Sequence, residues 1–337
     1  MNPAPVELAV TFGVALLAAL ALTPVVRSLA RQAGMIDRPN RRSSHTEGIP
    51  RGGGLAVLAA AATGLIVGGA GGLEPDEWAL LLGVFALALT GLADDRFGLR
   101  PAVRILIQLA AACGLVSATG GIPSLPLPPP LDLPLGPLAA PAAVLWLVAV
   151  TNFFNFLDGI DGLASAQAVI TGVGAAWLAW DPFAARTGAA LAGGSSGFLA
   201  FNWAPARIFL GDVGSLTMGY TLAAIPFLAP LESRSAVLFW TAMSLWLFLA
   251  DATWTVARRF GRGERWFEAH REHLYQRLVA GGMSHARVSG GLAGASGMLT
   301  AMALMALGDA RAVAGWCVLA VAMAFFLLEL RVAARVS

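Results

Sequence analysis

The sequence predicts an all-α, polytopic integral membrane protein with about eleven transmembrane helices. Of its 337 residues, 57% are hydrophobic and only 12% are charged, and the mean hydropathy is +0.72. Soluble domains carry about 25% charged residues, so the composition excludes a soluble enzyme and a disordered chain. Cys113 and Cys317 both lie in apolar runs and therefore indicate neither a disulfide nor a metal site.

A transmembrane helix needs about 20 mostly apolar residues, and eleven segments meet or approach this length. The first is too long for a removable signal peptide, and the seventh is short and contains a glycine-serine run at 193–197. The proline-rich stretch 123–141 predicts an extended loop. The eleven segments are 8–29, 54–72, 78–93, 102–120, 138–157, 163–180, 188–203, 215–231, 236–256, 289–307 and 312–330.

The orientation of these segments follows from the arginines, which carry all of the basic charge because the chain has no lysine. With eleven spans and the N-terminus outside, nineteen of the 22 arginines fall on the inner side. Only Arg186, Arg234 and Arg311 fall outside. An excess of basic residues marks the cytoplasmic side, so we expect the N-terminus outside and the C-terminus in the cytoplasm.

The predicted inner loops contain almost every polar side chain suited to chemistry, and we expect them to form one active site in a single transmembrane domain, 1–337. Carboxylates at inner helix ends suit a hard divalent cation, and arginines suit phosphate oxygens. Mg²⁺ is usually held by a few carboxylates plus substrate phosphates, so the combination indicates a metal-bridged phosphate ester. The five loops are 30–54, 94–101, 152–163, 205–215 and 257–288.

Acids and amides in these loops are the first candidate site residues. Asp94 and Asp95 adjoin at a helix end, where an isolated pair is more often only solvated. Asp212 is an N-cap of the eighth segment, a metal ligand or both. A third group recurs every three residues along one helical face, which is costly in a membrane unless it borders a wet cavity. Its members are Asn152, Asn155, Asp158 and Asp161.

The loop 257–288 adds His270, Arg271 and His273. Two histidines are too few for a zinc site, so contact between imidazole and phosphate is favoured. The seven arginines of the loop have an alternative interpretation, because basic segments beside a membrane bind anionic lipid headgroups by charge alone.

These motifs, in order and spacing, resemble the polyprenyl-phosphate N-acetylhexosamine-1-phosphate transferases of glycosyltransferase family 4. The resemblance covers about 35–285 and rests on Asp94-Asp95, the segment 152–164, the segment 209–215 and the histidine loop. The loop reads His-Arg-Glu-His where the lipid I-forming members have three consecutive histidines. The chain is therefore more similar to the branch that initiates O-antigen and related polysaccharides.

The resemblance implies transfer of an N-acetylated sugar 1-phosphate, such as that of UDP-N-acetylglucosamine, to undecaprenyl or another polyprenyl phosphate, with release of UMP. It implies Mg²⁺, with Mn²⁺ as a substitute, and a place at the cytoplasmic face of the bacterial inner membrane, at the initiating step of cell-envelope polysaccharide synthesis. The expected partners are the UDP-sugar, the polyprenyl phosphate and membrane lipids, with no nucleic acid. A homodimer is left open.

Carried over residue by residue, the resemblance implies Asp94 and Asp95 as the catalytic pair and Asp212 and Asn155 at the metal and diphosphate. Phe209 matches the aromatic residue that stacks on uracil. Together with the polar face described above, the expected substrate-binding residues are Asn152, Asn155, Asp158, Gly159, Ile160, Asp161, Phe209, His270, Arg271 and His273.

Two alternative functions stay open at this stage. One is the lipid I-forming phospho-N-acetylmuramoyl-pentapeptide transferase, which performs the same chemistry on another UDP-sugar. The other is an anion transporter, which predicts polar residues at the middle of several spans and internal repeats. Here the polar residues lie at the inner helix ends and no repeat is evident, so the transporter ranks well behind.

Overall fold

The computed structural model of the chain is almost entirely helical. Within the described residues there are thirteen α-helices and two short antiparallel ribbons, β1 (Ile36–Asp37) with β2 (Ile49–Pro50) and β3 (Ser124–Leu125) with β4 (Leu133–Pro134). The predicted all-α class is confirmed. The structure describes residues 4–37, 48–69, 72–125, 127, 133–178, 180–264, 271–306 and 311–335.

The helices follow the predicted apolar segments closely, and one further short helix, α11, lies in the loop 257–288. In chain order they are α1 (Pro5–Gln32), α2 (Gly54–Val67), α3 (Pro75–Phe97), α4 (Pro101–Thr119), α5 (Ala139–Phe156), α6 (Leu163–Leu178), α7 (Pro182–Asn202), α8 (Asp212–Leu228), α9 (Leu231–Ser244), α10 (Trp246–Gly261), α11 (Leu274–Ala280), α12 (His285–Met305) and α13 (Arg311–Arg335).

Among the described residues, five helical segments are long and apolar enough to cross a membrane alone. They are α1, α3, α4, α12 and the segment Gly136–Phe156, which contains α5. Counting α9 and α10 as one crossing gives six. All eleven predicted segments lie on helices, but several of these helices are short or less apolar. The number of eleven crossings and the sides on which the termini lie therefore stay predictions.

The ninth predicted segment, 236–256, is not one helix, because α9 and α10 meet at an angle of 75°. Its apolar run continues across the bend, and hydropathy does not record a change of direction. Gln167 of α6 donates to the Ser244 carbonyl at 2.8 Å and accepts from the Ser296 hydroxyl at 2.7 Å. The Ser244 hydroxyl lies 2.8 Å from that of Thr171 and 2.9 Å from that of Thr300. A buried polar network thus holds the bend.

Helix α8 lies at the centre of the bundle and is buried from Val213 to Leu228. Helices α2 and α3 approach its first turn through glycine: Gly54 lies against the backbone of Gly214, and Gly91 lies against that of Val213. A Cβ at either position would overlap the α8 backbone. This close approach brings the last turn of α3 to the first residue of α8.

At the opposite end of α8, Arg234 of α9 joins the C-terminal ends of α4 and α8. Its side chain is buried and donates to the carbonyls of Thr119 at 2.9 Å, Gly121 at 3.0 Å and Phe227 at 3.1 Å. Carbonyls at helix C-termini have no partner inside the helix. Arg234 therefore satisfies groups at the ends of α4 and α8 that would otherwise be buried without a hydrogen bond.

We expect Arg234→Gln to destabilise the protein by about 2–3 kcal/mol, because several carbonyls lose a charged donor. The measurement is the midpoint of thermal unfolding in detergent. The matched control is Arg186→Gln, which removes a partly exposed 3.0 Å ion pair with Glu7 and should cost at most about 1 kcal/mol. Equal shifts for the two variants would contradict the role assigned to Arg234.

Candidate active site

The end of α3, the start of α8 and the start of α4 bring two acids and an arginine together. The carboxyl groups of Asp94 and Asp212 lie against the same Arg104 guanidinium. The Nη1 atom of Arg104 lies 2.5 Å from Oδ2 of Asp94 and 3.5 Å from Oδ2 of Asp212. We call these three residues the acid cluster. Two carboxylates this close, beside a guanidinium, suit both cations and phosphate groups.

Asp95 has a different environment from Asp94. Its side chain is 2% exposed, and its two oxygens accept the backbone N–H groups of Asp212 at 3.0 Å and Val213 at 3.2 Å. It therefore caps α8, whose first N–H groups lack partners within the helix. Gly211 precedes α8 with φ +77°, and a Cβ there would overlap the Asp95 carboxylate. The geometry makes Asp95 the residue that positions Asp212.

The two asparagines of α5 lie in separate places. Asn155 donates to Oδ1 of Asp212 at 2.7 Å and to the Ser215 hydroxyl at 2.8 Å, so it borders the acid cluster. Asn152 forms an amide pair with Gln108 of α4, donating at 2.5 Å and accepting at 3.4 Å. The structure therefore brings Asn155 to the acids and leaves Asn152 at the contact between α4 and α5.

The polar face predicted over 152–161 is only partly helical. Helix α5 ends at Phe156, so Asp158 and Asp161 lie in the loop 157–162, which closes with Gly162 at φ +78°. Burial away from water, together with the negative charges of Asp212 and Asp95, raises the pKa of Asp158 well above its ordinary value. Asp158 therefore lies within reach of the charges of the acid cluster.

Tyr275 of α11 packs against this loop. Its hydroxyl donates to the Phe156 carbonyl at 3.0 Å, and its ring leaves no space for a Cβ at Gly159. Gly159 itself is exposed, while the next residue, Ile160, is buried. An exposed backbone at a glycine allows a ligand to approach closely.

Asp161 connects the loop 157–162 to two other elements. Its Oδ2 accepts the Ala206 N–H at 2.9 Å, and its Oδ1 lies 3.2 Å from Nδ1 of His285 at the start of α12. Its carbonyl accepts the Ser289 hydroxyl at 2.7 Å. With its carboxylate already bound by the protein, Asp161 holds the shape of the loop.

His273 is buried at the start of α11 and held by Asp251 of α10. Oδ2 of Asp251 lies 3.2 Å from Nδ1 of His273, and Oδ1 accepts the Leu274 N–H at 3.0 Å. The imidazole stacks on Tyr275 with 5.9 Å between ring centroids and lies 6.2 Å from the ring of Phe156. His273 is therefore in contact with Phe156, which precedes the loop 157–162, and with Tyr275, which packs against that loop.

Other residues of the loop 257–288 surround this pair. Arg258 and Arg259 bind the carboxylate of Glu272 at 2.8 and 2.5 Å. These two arginines therefore hold the residue next to His273. This specific contact differs from the alternative interpretation, in which the arginines bind lipid headgroups by charge alone. Arg271 is exposed. His270 lies outside the described residues, so its predicted role stays a prediction.

Phe209 lies in the segment that leads into α8. Its N–H donates to the Pro50 carbonyl at 2.8 Å, and its carbonyl accepts the Gly53 N–H at 2.9 Å. These bonds join the described end of the first inner loop to the start of α8. Arg51, in the same stretch, donates to the Asp95 carbonyl at 2.6 Å. The stacking of Phe209 on a base stays a prediction.

Four contributors to the site were not singled out from the sequence: Arg51, Arg104, Asp251 and Tyr275. The position of Asp251 in the sequence could have identified it, because an acid inside an apolar segment is by default a functional candidate. The two arginines looked like ordinary inner-side charges. Tyr275 is one of only two tyrosines in the chain, but nothing in its spacing indicates its contact with Gly159.

The acid cluster fits a divalent cation whose shell is completed by substrate. Within the part of the chain that the structure describes, no three His, Cys, Asp or Glu side chains are grouped to hold a metal alone. Mg²⁺ requires less, because one or two carboxylates and the substrate phosphates usually bind it. Asp94 and Asp212 supply two carboxylates, and Asn155 supplies an amide beside them.

Comparisons with known proteins find similar sequences over most of the chain. The model of glycosyl transferase family 4 matches residues 77–229. A probable undecaprenyl-phosphate N-acetylglucosaminyl 1-phosphate transferase of Bacillus subtilis (strain 168) is 32% identical over 287 residues, 83% of this chain and 79% of the relative. A phospho-N-acetylmuramoyl-pentapeptide-transferase of Synechococcus sp. (strain JA-3-3Ab) is 33% identical over 317 residues, 88% of this chain and 91% of the relative.

Proposed function

The chain belongs to glycosyl transferase family 4, and from this premise we propose that it transfers an N-acetylhexosamine 1-phosphate from a UDP-sugar to undecaprenyl or another polyprenyl phosphate, releasing UMP. The resemblance inferred from the motifs is thereby confirmed. The observation that carries the proposal is the contact of both Asp94 and Asp212 with the guanidinium of Arg104. Phosphoryl transfer depends chiefly on positioning and charge neutralisation, and this cluster provides both.

The side chains of the site divide the work between acceptor and donor. Asp94 is the acid in closest contact with Arg104, so we assign to it the orientation and deprotonation of the lipid phosphate. Arg104, released from the carboxylates when phosphate arrives, binds phosphate oxygens through its planar fork. Asp95 keeps its contacts with α8 and holds Asp212 in place.

Mg²⁺, or Mn²⁺ in its place, would be held by Asp212 and Asp94 with Asn155 nearby, and would supply Lewis-acid stabilisation of charge on the diphosphate. Asn155 orients Asp212 through its 2.7 Å hydrogen bond.

The nucleotide end of the donor is assigned to the loop 157–162 and its neighbours. Gly159 and Ile160 offer backbone, Asp161 fixes the loop, and Phe209 offers an aromatic ring. His273 and Arg271 are assigned to the phosphates or the sugar. In the same proposal, the chain crosses the bacterial inner membrane eleven times, with this site on the cytoplasmic face.

A second candidate donor is the UDP-N-acetylmuramoyl-pentapeptide, which the relative from Synechococcus favours by its name. The deciding experiment follows UMP release by the purified protein with undecaprenyl phosphate, Mg²⁺ and either UDP-N-acetylglucosamine or the UDP-N-acetylmuramoyl-pentapeptide. We expect turnover with UDP-N-acetylglucosamine. Turnover with the pentapeptide donor alone would replace the proposed sugar. Failure with these and related UDP-N-acetylated sugars would contradict the transferase assignment.

We expect Asp251→Asn to lower turnover about tenfold, because the carboxylate that orients His273 is lost, as with outer ligands that orient metal-bound histidines. The measurement separates kcat from KM for the UDP-sugar. If Asp251 had a purely structural role, the activity would fall only as far as the folded fraction of the protein falls. Thermal unfolding of the same sample measures that fraction. Glu232→Gln, at an exposed position of α9, is the control and should keep normal kinetics.

A further inference from the structure

A basic cleft of about 660 Å³ opens beside the loop 157–162, at the end of α1 that carries its arginines. Arg27 and Arg31 of α1 line one side, and Arg207, between α7 and α8, lines another. Residues 48–50 and the start of α12 complete the walls. We call this feature the arginine cleft. It is distinct from the acid cluster, none of whose residues lines it.

No acid among the described residues forms an ion pair with the arginines of the cleft. Neither Arg27 nor Arg31 has an acidic partner among the described residues, and the buried Nε of Arg27 has no hydrogen-bond partner there. Arg207 donates to the Ala200 carbonyl at 2.6 Å and stacks on Phe201 at 4.8 Å, so neither of these contacts neutralises it. Arg31 and Arg207 are both close enough to Arg27 for their positive charges to act on its guanidinium.

The acid that borders the arginine cleft is already engaged. Asp161 binds the Ala206 N–H and His285 with its two carboxylate oxygens. An anion that entered the cleft would therefore offset three positive charges without displacing an internal ion pair. Guanidinium groups that are close together and lack an acid suit phosphate oxygens, which they bind through paired N–H donors.

The surroundings of the arginine cleft are apolar on the side of α1. Leu20 and Leu17 are 36% and 65% exposed in the preceding turns of α1, and Leu20 lies on the same helical face as Arg27, seven residues further on. Trp203, just after α7, is 37% exposed beside the cleft. Exposed aliphatic residues, a tryptophan and arginines at the end of a candidate span are the pattern of the headgroup layer.

We propose that the arginine cleft binds the phosphate headgroup of an anionic glycerophospholipid from the inner leaflet, with its acyl chains lying along Leu20 and Leu17 of α1. Basic pockets between helices on the cytoplasmic side are suited to such headgroups. A soluble nucleotide would gain nothing from the exposed aliphatic residues of α1. The headgroup also contacts the segment 204–207, which binds Asp161, so the lipid stabilises the wall of the proposed nucleotide site. The proposal rests on the membrane placement and does not require the transferase activity.

The test measures thermal unfolding of the full chain in a neutral detergent, titrated with dioctanoyl phosphatidylglycerol or dioctanoyl phosphatidylcholine. We expect phosphatidylglycerol to raise the midpoint in a saturable way and phosphatidylcholine to have little effect. Arg27→Gln/Arg31→Gln should raise the half-saturating concentration at least tenfold. Arg31→Gln alone, at an exposed position, provides the same comparison if the double variant does not fold.

Two controls separate this site from others. Arg186→Gln removes an arginine near the other end of α1 and should respond to phosphatidylglycerol like the wild type. Inorganic phosphate and UMP, added without lipid, should give no shift that depends on Arg27 and Arg31. Equal effects of the two lipids, an unchanged response in the arginine variants, or a shift by phosphate or UMP through these arginines would each overturn the proposal.

Discussion

Asp94→Asn is expected to lower turnover about a thousandfold, within the range of general acid–base catalysis, and to leave the fold intact. The substitution removes the negative charge that faces Arg104 and Asp212, while the helix end that carries it stays packed. The measurement is kcat at saturating polyprenyl phosphate, with thermal unfolding of the same preparation. Near-normal turnover would remove Asp94 from the catalytic site.

The variant Asp95→Asn, at the adjacent residue, provides the matched comparison. We expect it to lose stability, which Asp94→Asn keeps. Its new amide group would turn a donor toward the N–H of Asp212 or Val213, and a buried N–H without an acceptor costs about 1–3 kcal/mol. We expect a lower unfolding midpoint together with lower activity. If both variants lose activity at unchanged stability, the capping role of Asp95 is wrong and the two acids act alike.

Asp212→Ala is expected to abolish measurable turnover, with a loss of at least about 10³-fold, because the charge stabilisation by a catalytic metal is worth several kcal/mol. Asp212→Glu should retain some activity that rises with added Mg²⁺ or Mn²⁺. EDTA should abolish the turnover of the wild-type protein, and excess Mg²⁺ should restore it. The measurement is UMP release as a function of metal concentration.

A control for Asp212 is available at another helix start. Asp181 caps α7 by accepting the Ala184 N–H at 2.7 Å, and it lies outside the acid cluster. Asp181→Ala should keep both the turnover and the metal requirement of the wild type. Wild-type activity that persists in EDTA would contradict the metal assignment of Asp212, Asp94 and Asn155 together.

The sequence was sufficient to locate the helices, because lipid-facing and buried helices both require long apolar runs. It did not reveal the bend after Ser244, since direction is set by the contacts of Gln167 with other helices. It also placed Asp158 and Asp161 on a helical face, although α5 ends before them. Spacing of three residues describes a helix only while the backbone remains helical.

The composition of the candidate site was predicted more fully than its internal arrangement. Asp94 and Asp95 are adjacent in sequence, but neighbouring residues on a helix point about 100° apart. One therefore reaches the acid cluster and the other reaches the first turn of α8. The shared contact of Asp94 and Asp212 with Arg104 joins residues far apart in the chain, and no local pattern specifies such a contact.

The bend between α9 and α10 also makes this part of the protein sensitive to hydrophobic mismatch. The 14 residues of α9 rise about 21 Å, which is less than the roughly 30 Å of a hydrocarbon core. Helix α10 turns away from α9 by 75°. When α9 stands across the membrane, α10 therefore adds little to the thickness that the two helices cross. A change in bilayer thickness is accommodated by tilting or local deformation, and here it would tilt the helix that carries Asp251. A tilt of α10 would move Asp251 and, through its carboxylate, His273. The rate of the enzyme would then depend on the acyl chain length of the lipids, which sets the thickness of the membrane.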